Sequence, residues 1–313
     1  MARDAELATC IARELGCAVL SVREIADLGA VNHVFVVESE VEAWVIRFNR
    51  DPLDRDDFAK EEYCLGFARR LGIPSPDVIA RGTLDGVPYL VQNLVHGVSG
   101  EFARSRELWL QLGQYAATLA AQPIPEDAAG ALFPRFGRDP AENWRQHVQY
   151  NLDELTPGDR LIHLGVYGLA HKCRIRDVFE GLLRREYRFG LNHGDLVPKN
   201  TILQAGGAVV LLDWGSATVG LVPHQNFLRL KNPAPTETPF TAEEIGWFAE
   251  GCDVDPEAIS TDLLETELLG AIDLVRGAID RRPDRLDETV AKARAHVEAR
   301  FGCNERPFRR RGQ

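Results

Sequence analysis

Long apolar runs are missing from this chain of 313 residues. Its opening stretch sets Arg3, Asp4, Glu6, Arg13, Glu14 and Arg23 among the apolar positions, so it holds neither a signal-peptide core nor a bilayer-length span. A cytoplasmic protein without a membrane partner is expected. Paired cysteines are missing too. Cys10, Cys17, Cys64, Cys173, Cys252 and Cys303 are scattered with no Cys-x-x-Cys, which argues against a zinc site or redox motif and for reduced thiols. Basic residues are in deficit, 36 Lys and Arg against 47 Asp and Glu, for a formal charge of -11. A nucleic-acid partner needs a basic footprint and is not expected. The negative balance suits a cationic small molecule instead. The single basic cluster, Arg306 to Arg311, reads as a solvated terminus. Internal repeats and low-complexity tracts are absent as well.

What is present is an ordinary globular composition, 45% hydrophobic, enough for a substantial core and two lobes. Leu7, Ile11 and Leu15 recur four apart, which predicts a leading helix over 1–18. Val34 to Val37 and Ala43 to Phe48 read as strands on either side of the polar turn Glu38-Ser39-Glu40. A helix from Asp56 to Leu71 is stopped by Gly72, Pro74 and Pro76, and Val78 to Ala80 with Tyr89 to Val91 complete a small sheet across an Asp85-Gly86 turn. After Gly97 and Gly100 the pattern turns helical: 108–121, 141–155, 164–188, 242–250, 256–281 and 285–301. The expectation is an α+β chain with a small β-rich lobe over 1–97 and a larger helical lobe over 98–313.

The chemistry lies between Asn192 and Gly215. His193-Gly194-Asp195-Leu196-Val197-Pro198-Lys199-Asn200 places an Asp five residues before an Asn, and Asp213-Trp214-Gly215 follows the apolar strand Ala208 to Leu212. Phosphoryl transfer to a hydroxyl needs a carboxylate to accept the alcohol proton and oxygen ligands to hold Mg²⁺ on the nucleotide phosphates. Asp195 fits the first role, Asn200 and Asp213 the second. His193 reads as a loop-shaping group that bonds backbone. Lys199 reads as an ordinary solvated lysine in preference to a γ-phosphate contact.

The Asp-to-Asn spacing is that of the protein-kinase catalytic loop, with Gly194 in place of Arg and Trp214 in place of the Phe of Asp-Phe-Gly. In this variant form the segment resembles the aminoglycoside phosphotransferase family and its small-molecule kinase relatives, choline kinases among them. The resemblance extends from about Gly29 to Gly220 and implies a bilobal, protein-kinase-like fold. It implies that Arg47, where the family pattern has Lys, clamps the nucleotide phosphates, paired to Glu61 or Glu62, with Glu61 favoured. It also implies that Gly29 to His33, with Asn32, forms the nucleotide-positioning loop, and that the Asn93 carbonyl and Val95 amide read the base. Acidic residues of a late helix, Asp262, Glu265, Glu267 and Asp273, are acceptor-site candidates or a solvated face.

One departure stands out: Gly220 to Phe227 keeps the family's glycine and proline but alters its two acidic positions. The expected function is a Mg²⁺-dependent kinase that moves the γ-phosphoryl of ATP or GTP to a hydroxyl of a small polar molecule. An aminoglycoside antibiotic, and so antibiotic resistance, comes first. The alternatives are a housekeeping kinase for choline, a sugar or an amino-acid derivative, and a catalytically silent nucleotide-binding regulator. A monomer or homodimer is expected.

Overall fold

A computed structural model describes residues 2–25, 32–50, 57–124, 126, 128, 130–234 and 237–302. Helix α1 (Ala2–Glu14) leads into strands β1 (Ser21–Glu24), β2 (His33–Glu38) and β3 (Ala43–Phe48). Helix α2 (Asp57–Arg70) precedes β4 (Val78–Leu84), β5 (Val87–Asn93) and the short β6 (Val98–Ser99). Then come α3 (Arg106–Ala120), α4 (Pro140–Asp153), α5 (Arg160–His163) and α6 (Leu169–Arg184). Strands β7 (Arg188–Asn192), β8 (Thr201–Leu203), β9 (Val209–Leu211) and β10 (Thr218–Val222) follow, and α7 (His224–Lys231), α8 (Ala242–Cys252), α9 (Ser260–Arg281) and α10 (Leu286–Phe301) complete the described chain. None of the described helices is long and apolar enough to cross a membrane.

Contacts divide the chain into two compact units, one of residues 1–134 with 189–254, the other of 135–188 with 255–313. In the first, five antiparallel strands lie in the order β1-β2-β3-β5-β4. Side chains alternate across a strand, so Ile46 and Phe48 of β3 join Leu7, Ile11, Phe35 and Trp44 in a core beneath α1. Arg47, between them, is directed to the other face. There it meets Glu61 of α2.

The same unit holds β8 and β9, a hairpin to which β6 adds a third strand, and the pair β7–β10. Helices α3 and α8 touch backbone to backbone. A Cβ on Gly113 would lie 2.2 Å from the Phe248 carbonyl oxygen, and one on Gly251 would lie 2.2 Å from that of Leu110. Thr241 and Glu244 form a capping box at the start of α8. The Glu244 carboxylate also takes two bonds from Arg104, at 2.6 Å each, and one from the Trp109 indole at 3.2 Å.

The second unit is helical. Val148, Leu152, Ile175, Phe179, Leu268, Ile272, Val275 and Val297 bring α4, α6, α9 and α10 around one core. Arg276, buried, donates to both oxygens of Asp159, at 3.1 and 2.7 Å, and to Asn151 at 3.1 Å. A buried cation so fully bonded offsets much of its desolvation.

Most elements follow the sequence pattern, with instructive differences. The helix expected over 164–188 is shorter, α6 (Leu169–Arg184), because Gly165 adopts φ +70° and Gly168 is the extended residue before α6, and the short helix α5 ahead of it is an addition. Strands β1, β6, β7 and β10 and helix α7 are additions. The basic tail from Arg306 and Cys303 lie outside the described residues, as do Gly29 to Val31 of the expected nucleotide loop.

Candidate active site

The β8–β9 hairpin sets two oxygen donors side by side at its open end. Asn200 ends a 3₁₀ turn begun at Pro198, and its carbonyl accepts from the Leu212 amide at 2.8 Å, one residue before Asp213. Asp213 sits in the left-handed region at φ +51°, and its Oδ1 accepts from the Gly215 amide at 3.3 Å. The next turn, Trp214–Ser216, buries the Trp214 ring completely.

Asp195 stands on the preceding loop, and Asn200 locks it there. The Asn200 amide nitrogen donates to the Asp195 carbonyl at 2.8 Å and to its Oδ2 at 2.9 Å. His193 holds the loop from beneath, as its sequence position suggested. Fully buried, its Nε2 donates to the Leu212 carbonyl at 2.8 Å while Nδ1 accepts from the Asp195 amide at 3.3 Å. That pairing fixes a neutral tautomer, and burial pushes the imidazole pKa down. The ring packs on Trp214 at 4.5 Å between centroids. Gly194 is required at this bend: it adopts φ +81°, and a Cβ would fall 2.0 Å from the Ser216 carbonyl oxygen.

Arg47 joins the sheet to the hairpin. It bonds Glu61, and its Nη2 donates to Asp213 Oδ1 at 3.2 Å. Glu62, the alternative partner, is bonded to Arg81 at 2.7 Å. Burial alone would lower the Arg47 pKa, but the charges of Glu61 and Asp213 outweigh it and keep the guanidinium charged. Burial alone would likewise raise Asp213; the Arg47 charge is the largest opposing effect, and the carboxyl lies below its ordinary value. Lys60 donates to the Gly215 carbonyl, so neighbouring residues of α2 grip both the phosphate-clamp candidate and the Asp213 loop.

At the strand end, Asn93 accepts through Oδ1 from the Asp77 amide at 2.6 Å, and Leu94 donates to the Ala43 carbonyl at 2.9 Å. The half-buried Val95 amide donates to no carbonyl among the described residues. Asn32 is half-buried beside the start of β2. Of the late-helix acids, Asp262 and Glu265 each bond Arg185 at 2.6 Å. Asp273 lies 3.4 Å from His147 and accepts from Asn151 at 3.2 Å, and Glu267 lies 3.9 Å from His296.

Sequence reasoning missed two residues here. Arg229 of α7 donates from Nε to Asp195 Oδ1 at 2.6 Å, and Glu237 binds Arg229 and Lys199. Lys199 is therefore not a simply solvated side chain: its ammonium is 2.6 Å from Glu237 and 3.3 Å from Asp195. The altered loop after Gly220 remains anchored, because Asn226, buried on α7, donates to the Asn192 side-chain oxygen at 3.4 Å.

No cluster of three or more His, Cys, Asp or Glu able to hold a metal occurs among the described residues. The donor chemistry nevertheless fits a cation that arrives with phosphates. Asp213 spends one carboxylate oxygen on Arg47 and Gly215 and its side chain is 46% exposed. Asn200 spends its nitrogen on Asp195, which aims its oxygen elsewhere. Mg²⁺ takes one or two protein oxygens and fills its remaining positions with phosphate and water.

Comparison with known proteins identifies the family and the fold. A probable ketoamine kinase of Staphylococcus aureus is 28% identical over 207 residues, 61% of this chain and 68% of that protein. The crystal structure of aminoglycoside phosphotransferase APH(4)-Ia covers 95% of this chain and 99% of its own at a TM-score of 0.61 and 18% identity. The macrolide 2'-phosphotransferase MphH of Brachybacterium faecium covers 97% and 100% at 0.60 and 17%. These structures show the fold to be the α+β, kinase-like one. Residues 21–224 match the model of the phosphotransferase enzyme family. A match over more than half of the chain makes the protein a member of that family, a small-molecule kinase.

Proposed function

We propose that this protein transfers the γ-phosphoryl group of ATP or GTP to a hydroxyl of a small polar molecule, with Asp195 as the catalytic base. The observation that carries this reading is the pair of hydrogen bonds that the Asn200 side-chain amide donates to Asp195, on a hairpin that also presents Asp213, whose carboxylate Arg47 reaches. Base, candidate metal donors and phosphate clamp share one framework. On this reading residues 1–97 form the nucleotide-binding lobe and 98–313 the catalytic and acceptor-binding lobe.

Asp195 orients the acceptor hydroxyl and takes its proton. Asn200 and Asp213 hold Mg²⁺, which, when bound, neutralises charge on the phosphate oxygens. Arg47 presents a fixed guanidinium to the phosphates, suited to bidentate contact. Glu61 keeps it in place. The Val95 amide and Asn93 carbonyl receive the base edge, and Asn32 borders the phosphates. Nucleotide as co-substrate is supported by a structural relative solved with ADP and spectinomycin.

For the acceptor, an aminoglycoside is the first candidate, a reading supported by the names of the structural relatives and by the negative charge of the chain. A second reading, a ketoamine acceptor, is favoured by the sequence relative from Staphylococcus aureus. Both are polyhydroxylated amines. Purified protein with Mg²⁺ and either ATP or GTP should phosphorylate one member of a panel of aminoglycosides, fructosyl-amines, choline, sugars and hydroxy amino acids. Nucleotide binding with transfer to no acceptor, water included, would overturn the kinase reading in favour of a silent regulator.

A further inference from the structure

The carboxylate of Asp195 is nearly surrounded by protein donors, and the one at its Oδ1 comes from outside the phosphotransfer motifs. Arg229 donates there from Nε at 2.6 Å. Its Nη2 donates to both oxygens of Glu237 at 2.6 Å each. Glu237 is fixed in turn by the Ala234 amide, 2.8 Å from Oε2, and by the Lys199 ammonium, 2.6 Å from Oε1. The Arg229 and Glu237 side chains are only 17% and 10% exposed.

An ionised carboxylate offers about four lone-pair positions. Arg229 takes one on Oδ1, while Asn200 at 2.9 Å and Lys199 at 3.3 Å take those on Oδ2. A single position on Oδ1 is left for an incoming hydroxyl. A guanidinium is a rigid plane, so holding its Nη2 on Glu237 fixes the direction in which its Nε–H points. An ammonium on a flexible stem has no such coupling.

We propose that Arg229 is a positioning residue for phosphoryl transfer: it sets the plane of the Asp195 carboxylate, and Glu237 holds Arg229 in place. This rests on the assignment of Asp195 as the base. The effect is on the geometry of the acceptor hydroxyl, so it belongs to the chemical step and not to nucleotide binding.

The test uses Arg229→Ala, Arg229→Lys and Glu237→Gln in the full chain, with MgATP and the acceptor that the wild type phosphorylates. Arg229→Ala should lower kcat by about a hundredfold, the scale of a misplaced reacting group, with nucleotide Kd unchanged. Glu237→Gln should lower it about tenfold, as loss of an outer-shell partner does. Arg229→Lys should not restore the rate. Guanidinium at non-denaturing concentration should return part of the kcat of Arg229→Ala, and sodium chloride at the same ionic strength should not. A damaged fold would not be repaired that way.

Wild-type kcat in Arg229→Ala, a loss that guanidinium does not relieve, or nucleotide affinity lost in step with kcat would each overturn the inference. Asp195→Ala in the same assay separates the two levels. Turnover retained there sinks the base assignment and this inference with it; turnover lost there but kept in Arg229→Ala sinks the inference alone.

Discussion

Arg47 and Glu61 are bonded to each other with side-chain exposures of only 10% and 2%, and Arg47 reaches on to Asp213 at 3.2 Å. A cation on the central sheet is thereby tied to α2 and to the candidate metal loop at once. The pair links the stability of this unit to its chemistry, because one guanidinium is bonded both to the buried Glu61 and to Asp213.

Removing one partner leaves the other charge buried. Arg47→Met should therefore destabilise the protein by about 3–5 kcal/mol, the usual consequence of breaking a buried pair. Urea unfolding measures it. The double variant Arg47→Met with Glu61→Leu should recover much of that loss while still failing to bind nucleotide normally.

Asp213→Ala should weaken Mg-nucleotide binding by about tenfold or more, that is at least ~1.4 kcal/mol, since it takes away a metal donor. Calorimetric titration of MgATP reads this directly. Unchanged affinity would rule Asp213 out as a ligand.

Gly194→Ala places a Cβ against the Ser216 carbonyl at a positive φ. Strain of this kind costs about 1–3 kcal/mol. Because the bend carries Asp195, turnover should fall further than the thermal midpoint shift alone explains, and a variant with unaltered kcat would contradict the loop geometry.

Glu237 supplies a pH-dependent stability. Burial alone would raise its pKa, but the bonds from Arg229 and Lys199 outweigh it and bring the carboxyl down from 4.5 to about 2. A carboxyl depressed on folding stabilises above its unfolded pKa, and the contribution fades as the pH falls from about 5 towards 2. The shift is on the order of 3 kcal/mol. Urea midpoints of the wild type should fall over that window more steeply than those of Glu237→Gln; parallel profiles would show that the cluster contributes nothing.

The readable parts of this chain were those with local rules. Short apolar runs flanking a polar turn gave β2 and β3, and four-residue spacing put Leu7 and Ile11 on one face of α1, the face that packs on the sheet. The motif residues Asp195, Asn200 and Asp213 could be named because a loop, a hairpin and a strand end bring them together over a short stretch of chain. Glu61 and Glu62 could not be told apart, since adjacent helical residues differ only in direction and the partner strand decides between them. Arg229 and Glu237 were invisible for a related reason. One lies on a helix that shows no motif, the other in a Pro-bearing loop, and only the tertiary fold joins them to Asp195. Short strands such as β7 and β10 have too few residues to establish a period.

The most direct test of the whole account is Asp195→Ala, assayed for phosphoryl transfer from ATP and GTP to the wild type's acceptor, with nucleotide binding measured in parallel. Nucleotide should bind as before and turnover should almost vanish. Turnover close to that of the wild type, at unchanged binding, would contradict it.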